Sequence, residues 1–232
     1  MKKDSCILLL SKNEYLAQAT EDYCRTLYNV KCVVRNERGL KKLPKEVYEA
    51  SKNGDIDYIF NFLSAVKVPR DIINSARKLA INFHPAPPEF PGVGCASYAL
   101  YSKAKEYGVT AHIMEETYDS GKILKVVRFP ISKGDYCDTL FDRSLNYLLI
   151  LFYDVLYELA TKGNIKPCGE KWERKASTRK QFEKWMTLTP EDSDEDARLK
   201  IRAAKHNRFT GPYVEIFEEK FVLEPRKKEG QE

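Results

Sequence analysis

The sequence predicts a doubly wound, mostly parallel α/β sheet with a small C-terminal α+β extension that ends in a β-hairpin. Three observations predict it. Short apolar runs of strand length alternate with helical patterns through the first two thirds of the chain. The character turns polar and basic near Gly163. Two more strand-like runs, joined at Glu218-Glu219, lie close to the C-terminus.

Each element has its own signal. Cys6 to Leu10 is a continuous apolar run and reads as a buried strand. A helix from Glu14 to Tyr28, a strand from Val30 to Val34 and a helix from Lys45 to Asn53 follow. Tyr58 to Leu63 is the third strand. Pro69 opens a helix to about Ala76, since proline suits a first helical turn. Lys78 to Phe83 is the fourth strand. Ser97 to Tyr107 is predicted helical, with Gly108 as its C-cap. Val109 to Met114 and Ile123 to Phe129 are the last two strands, and a long helix, about Thr139 to Thr161, completes a unit over residues 1–162.

Residues 163–232 form the extension. Gly163 to Gln181 is polar and basic. Thr189 to Glu195 carries a helix-start signal for a helix to about Lys205. Tyr213 to Phe217 and Lys220 to Leu223 make the hairpin, and Arg226 to Glu232 is a charged, frayed end.

The bulk composition narrows the class. With 232 residues, 43% hydrophobic and 31% charged, the chain reads as a soluble globular protein. A net charge of +5 is too weak to argue for nucleic acid and suits an anionic small molecule. The six cysteines form no CxxC pair, so they read as reduced structural thiols with no metal site. The apolar run after Met1-Lys2-Lys3 is too short for a signal peptide. Leu145 to Leu159 is broken by Asp154 and reads as a core helix, since a membrane span needs about 20 apolar residues. The expected location is the cytoplasm, with no membrane partner.

The chemistry concentrates in two segments. In Ala80 to Gly94 a strand ends at Asn82-Phe83-His84 and meets a proline-rich loop. Residues two apart on a strand share a face, so Asn82 and His84 project together where α/β sheets bind ligands. The second segment is Glu115 to Gly121, whose Asp119-Ser120-Gly121 turn places a carboxylate at the same sheet edge. An amide, an imidazole and a carboxylate suit acyl transfer without a covalent intermediate. The imidazole takes a proton from an attacking amine, the amide donates to an oxyanion, and the carboxylate orients the imidazole. No GxSxG elbow favours a nucleophilic hydrolase. His112, inside a strand, reads as structural.

Asn-x-His-Pro, a proline-rich loop ending in glycine, and a later Asp-Ser-Gly resemble the folate-dependent formyltransferase family over residues 1–160. The resemblance implies a Rossmann-like formyltransferase sheet, N10-formyltetrahydrofolate as donor, no metal, and Asn82, His84 and Asp119 as the catalytic residues. By family position, Leu63, Val66, Glu115, Thr117 and Tyr118 are the candidate folate contacts.

The acceptor is read from the loop and the tail. A tRNA formyltransferase typically carries Leu-Pro-x-x-Arg-Gly, whereas this loop is Pro87-Pro88-Glu89-Phe90-Pro91-Gly92, and its acidic Glu89 would repel a nucleic-acid backbone. The loop, together with Thr178-Arg179-Lys180, Ile201-Arg202-Ala203 and Gly211-Pro212-Tyr213, is similar to sugar-nucleotide N-formyltransferases. That branch implies a dTDP-linked amino-dideoxyhexose, best dTDP-4-amino-4,6-dideoxyglucose, destined for surface polysaccharide such as the O-antigen of lipopolysaccharide, and a homodimer. Candidate acceptor contacts are Lys12, Asn13, Glu89, Phe90, Gly92, Arg208, Phe209 and Tyr213. Phe209 and Tyr213 either stack on a thymine or pack a dimer or hairpin core, and Lys12 either meets a phosphate or is solvated. Alternatives are a methionyl-tRNA formyltransferase with a reduced C-terminal domain and a non-catalytic folate or nucleotide binder.

Overall fold

Strand alternation sorts the apolar residues of this chain onto two faces. The computed structural model describes residues 3–35, 42–206 and 211–223. The central sheet has six strands: β1 (Ser5–Leu10), β2 (Asn29–Arg35), β3 (Tyr58–Phe62), β4 (Leu79–His84), β5 (Glu106–Ile113) and β6 (Ile123–Pro130). Their order is β2-β1-β3-β4-β5-β6. The first four run parallel, while β5 pairs antiparallel with both β4 and β6.

In β1, Cys6, Leu8 and Leu10 share one core with α1 (Glu14–Leu27) and α5 (Cys137–Lys162). Ile7 and Leu9 point the other way, into a core with α2 (Lys45–Lys52) and α3 (Arg70–Ser75). Phe152 of α5 packs against Phe60, Phe62 and Phe83, which fixes β3 and β4 from below. Though α5 has 26 residues, no helix among those described is long and apolar enough to cross a membrane.

Two boundaries differ from expectation. The helix expected over 97–107 is α4 (Cys95–Tyr101), and Gly108 lies inside β5 instead of capping a helix. The physical reason is packing across the sheet: a Cβ at Gly108 would overlap the Val127 carbonyl. The hairpin turns on Phe217-Glu218 and not on Glu218-Glu219. Both turn residues have positive φ, 52° and 66°, as in a type I′ turn.

The extension contains α6 (Arg179–Met186), α7 (Asp194–Ala204) and a three-stranded sheet of β7 (Thr187–Leu188), β8 (Tyr213–Ile216) and β9 (Glu219–Val222). The polar stretch gave no signal for α6 or β7. Thr178 caps α6 and Gln181 returns the bond, so local capping chemistry starts this helix where no long apolar pattern does. The extension is tied to α4: Tyr101 bonds Asp196, Lys103 pairs with Glu195 at 3.0 Å, and Trp185 packs on Tyr98 and Tyr101.

Candidate active site

The period of β4 sends Phe83 into the core and leaves Asn82 and His84 on the opposite face. Asn61 of β3 and His112 of β5 lie directly across from Asn82 on either side, giving a polar row over three strands. Asn82 Nδ2 donates to His112 Nε2 at 2.9 Å, and His112 Nδ1 donates to the Ile113 carbonyl at 2.9 Å.

Asp119 completes the group. It sits in the turn between β5 and β6 with φ of +44°, a left-handed conformation that aspartate tolerates better than most residues. Its Oδ2 lies 3.3 Å from His84 Nδ1, and its Oδ1 lies 3.3 Å from His112 Nε2. The Gly92 N–H donates to Oδ2 at 2.8 Å. Glycine is required at 92 because a Cβ would overlap the Ser177 backbone, and it is required at 121 because one would overlap the Ile113 carbonyl.

His84, His112 and Asp119 are each at most 8% exposed, so their charges interact with little water between them. Burial opposes the charge on Asp119, but the neighbouring His84 and His112 and the Gly92 N–H outweigh it and hold the carboxyl down to about 2. Burial lowers His84 below the ordinary imidazole value, against the raising effect of Asp119. The neutral ring gives its Nδ1 proton to the carboxylate, the stronger acceptor. Nε2 is then the basic nitrogen, with the Phe90 carbonyl 3.3 Å away to receive its proton once the ring is charged.

A pH dependence of stability follows. His84 is harder to protonate in the fold than in the unfolded chain, so stability falls as pH drops below about 6.5. Asp119 is lowered, so its contribution is complete above about pH 4 and is lost as pH falls through about 2. Urea midpoints measured from pH 7 to pH 2 are expected to show both losses, and His84→Gln is expected to abolish the upper one. A His84→Gln curve parallel to wild type above pH 5 would contradict this assignment.

The group opens into one cavity of about 1580 Å³. Leu63, Thr117 and Tyr118 line it on one side of this polar group, and Tyr213 lines it within the extension. Leu63 has φ of +60°, an uncommon value for leucine that costs roughly 1–2 kcal/mol. Tyr213 is buried, with its hydroxyl donating to the Glu183 carbonyl at 3.0 Å.

Other expected contacts lie elsewhere. Val66 is buried in the core with α2 and α3, and Glu115 lines a separate hollow of about 670 Å³ beside Arg70. Glu89 pairs with Arg128 at 2.7 Å. The Phe90 ring lies under the Arg174 guanidinium, 5.3 Å away. Asn13 caps α1, and neither it nor Lys12 lines the cavity. Arg208 and Phe209 lie outside the described residues.

Sequence reasoning missed two contributors. His112 reads as a structural strand residue but contacts both Asn82 and Asp119; its only signal is an imidazole on the same strand face as Thr110. Trp172 comes from the basic stretch and packs against both histidines, at ring-centroid distances of 5.9 Å to His84 and 5.0 Å to His112. Among the described residues, no cluster of His, Cys, Asp and Glu has the arrangement to hold a metal ion.

The chain is similar to known formyltransferases in sequence and in fold. Residues 30–155 match the formyl transferase family model. A GDP-perosamine N-formyltransferase from Brucella melitensis is 27% identical over 50% of this chain and 45% of its own. A methionyl-tRNA formyltransferase from Pediococcus pentosaceus is 29% identical over 58% of this chain and 38% of its own. The chain therefore spans less than half the length of either relative. A sugar N-formyltransferase structure from a Shewanella species covers 94% of this chain and 96% of its own, with TM-score 0.76 and 18% identity. An N-formyltransferase from Helicobacter canadensis, in complex with folinic acid and dTDP-3-aminofucose, covers 95% of this chain and 86% of its own, with TM-score 0.70 and 18% identity. At such identities the likeness is one of fold. The family model spans more than half of the sequence and encloses Asn82, His84, His112 and Asp119, and the chain belongs to the formyl transferase family.

Proposed function

We propose that the protein transfers the formyl group of N10-formyltetrahydrofolate to the amino group of a dTDP-linked amino-dideoxyhexose, with dTDP-4-amino-4,6-dideoxyglucose the best candidate. The observation that carries the two-substrate reading is the cavity. One continuous space of about 1580 Å³ contains the Asn-His-Asp group and reaches both the Leu63 wall and Tyr213. A pocket for one drug-sized ligand is about 300–1,000 Å³. The apolar Leu63 wall, with polar groups of Thr117 and Tyr118 beside it, fits a pterin; Tyr213 and Arg179 suit the base and diphosphate of a nucleotide.

The folate supplies the formyl carbon, and the residues of this chain do the rest. Holding two reactants in one cavity makes the reaction effectively unimolecular. His84 Nε2 takes the proton of the attacking amine, Asp119 stabilises the imidazolium that results, and that proton passes to the folate nitrogen as its bond to the formyl carbon breaks. The Asn82 amide faces the negative charge developing on the reacting oxygen.

Support for a sugar acceptor comes from the loop and tail motifs and from the Brucella relative, although that protein's name specifies a GDP sugar. A mass-spectrometric assay tests the reading. The donor is supplied with dTDP-4-amino and dTDP-3-amino sugars, GDP-perosamine, glycinamide ribonucleotide and methionyl-tRNA. Gain of one CO on a dTDP-amino sugar is expected. Gain only on GDP-perosamine would replace the base, and gain only on tRNA or glycinamide ribonucleotide would overturn the sugar reading.

We also propose a homodimer built through the hairpin. Ile216, Phe217, Phe221 and Val222 are all exposed there, with Phe217 at 96%. Phe221→Asp is expected to shift the sedimenting species from dimer to monomer. A wild-type protein that sediments as a monomer would contradict this.

A further inference from the structure

Residues 164–178 cross the catalytic group as a strap, and its anchors lie on both sides of Trp172. Upstream, the Cys168 N–H donates to the Ile123 carbonyl at 3.0 Å, and Glu170 pairs with Arg128 at 2.6 Å. Downstream, the Glu173 N–H donates to the Pro88 carbonyl at 3.2 Å. Ser177 then locks onto the loop after β4: its N–H donates to Pro91 at 3.2 Å, its hydroxyl to Val93 at 2.6 Å, and its carbonyl accepts from Val93 at 2.9 Å.

These bonds place one indole against two rings at once. Trp172 lies at 71° to His84 and 90° to His112. Its Nε1–H donates to the Gly121 carbonyl at 2.8 Å, so its one polar atom is satisfied and the rest of the ring presents apolar surface. The indole belongs to the cavity wall along with Asn82, His84 and Asp119. On one side Gly92, in the loop that Ser177 grips, donates to Asp119; on the other the Gly121 carbonyl accepts from Trp172, next to the turn that carries Asp119.

We propose that Trp172 is the residue that keeps water from the catalytic histidines, so that the formyl group passes to the amine and not to water. The inference rests on the formyl-transfer reading given above. A formyl donor held beside a general base has a competing reaction: water attacks the formyl carbon, the bond from that carbon to the folate nitrogen breaks, formate leaves, and the nitrogen takes up a proton. Nothing in the chemistry of His84 separates an amine from water; exclusion does. An indole packed edge-on against both imidazoles fills space beside them that water would otherwise take, and leaves the rest of the cavity to the amine. Trp172 is thus a positioning and shielding residue that does not itself exchange protons.

Two readouts test this, one of them independent of turnover. The chain has only three histidines, His84, His112 and His206, so their ring signals can be followed by NMR in the unliganded protein. In Trp172→Ala, the His84 titration is expected to move up toward the ordinary imidazole value, with Trp172→Phe close to wild type. Formate released per amine formylated is expected to rise by about tenfold in Trp172→Ala and to return near wild type in Trp172→Phe. Trp172→Leu, which keeps apolar bulk, replaces the alanine variant if circular dichroism shows that variant unfolded. Overall slowing with an unchanged His84 titration and an unchanged formate ratio would overturn the proposal, because a merely structural tryptophan predicts that pattern. If wild type consumes no formyl donor, the transfer reading fails, and an unmoved His84 titration would separately show that Trp172 is no shield.

Discussion

Replacing Asp119 with asparagine is expected to lower kcat on the order of 10³-fold, with KM for both substrates changed little. The carboxylate contacts two imidazoles, one through each oxygen, and accepts the Gly92 N–H. Asparagine keeps the volume but removes the charge. His84 then lacks the group that holds its Nδ1 proton and stabilises its charged form, a loss felt when the amine proton is transferred. Because His84 is buried, water does not substitute. Steady-state kinetics with both substrates varied checks this. A loss below tenfold, or one confined to KM, would mean that Asp119 serves the fold and not the reaction.

His84→Ala is expected to cost on the order of 10²–10⁴-fold in kcat, since the ring supplies the basic nitrogen. The substitution also leaves a void beside Trp172, open to the cavity, large enough for a small base. Added imidazole is therefore expected to restore part of the rate, saturably, while leaving Asp119→Asn unaffected. Donor binding measured by fluorescence should survive, because the Leu63 wall lies on other strands and loops. Undiminished turnover in His84→Ala would refute its role. Loss of donor binding would assign it to binding instead.

Much of this site is legible in the sequence because its parts are local. Asn82 and His84 share a face by strand periodicity alone, and Asp119 sits in a turn whose Asp-Ser-Gly pattern is explicit. The sheet is legible for the same reason, as each apolar run carries its own length and punctuation. What escapes local reading depends on pairing. His112 enters the site only because β5 lies antiparallel beside β4 with residue 112 opposite Asn82. The reversal also misleads at Gly108, where a sheet contact with Val127 looks like a helix end. Trp172 is further still from local signals: it arrives through main-chain bonds between a strap and a loop about 80 residues away in sequence, and such bonds leave no side-chain pattern.

Formyl transfer at His84 can be followed in a single-turnover reaction with donor labelled with carbon-13 at the formyl carbon. The labelled carbon is followed by NMR in the presence of the dTDP-amino sugar. With wild-type protein the signal is expected to leave the folate and appear as a sugar formamide, and with His84→Ala to stay on the bound folate over the same time. Label appearing only as formate with wild type, or as formamide at equal rates with both proteins, would contradict it.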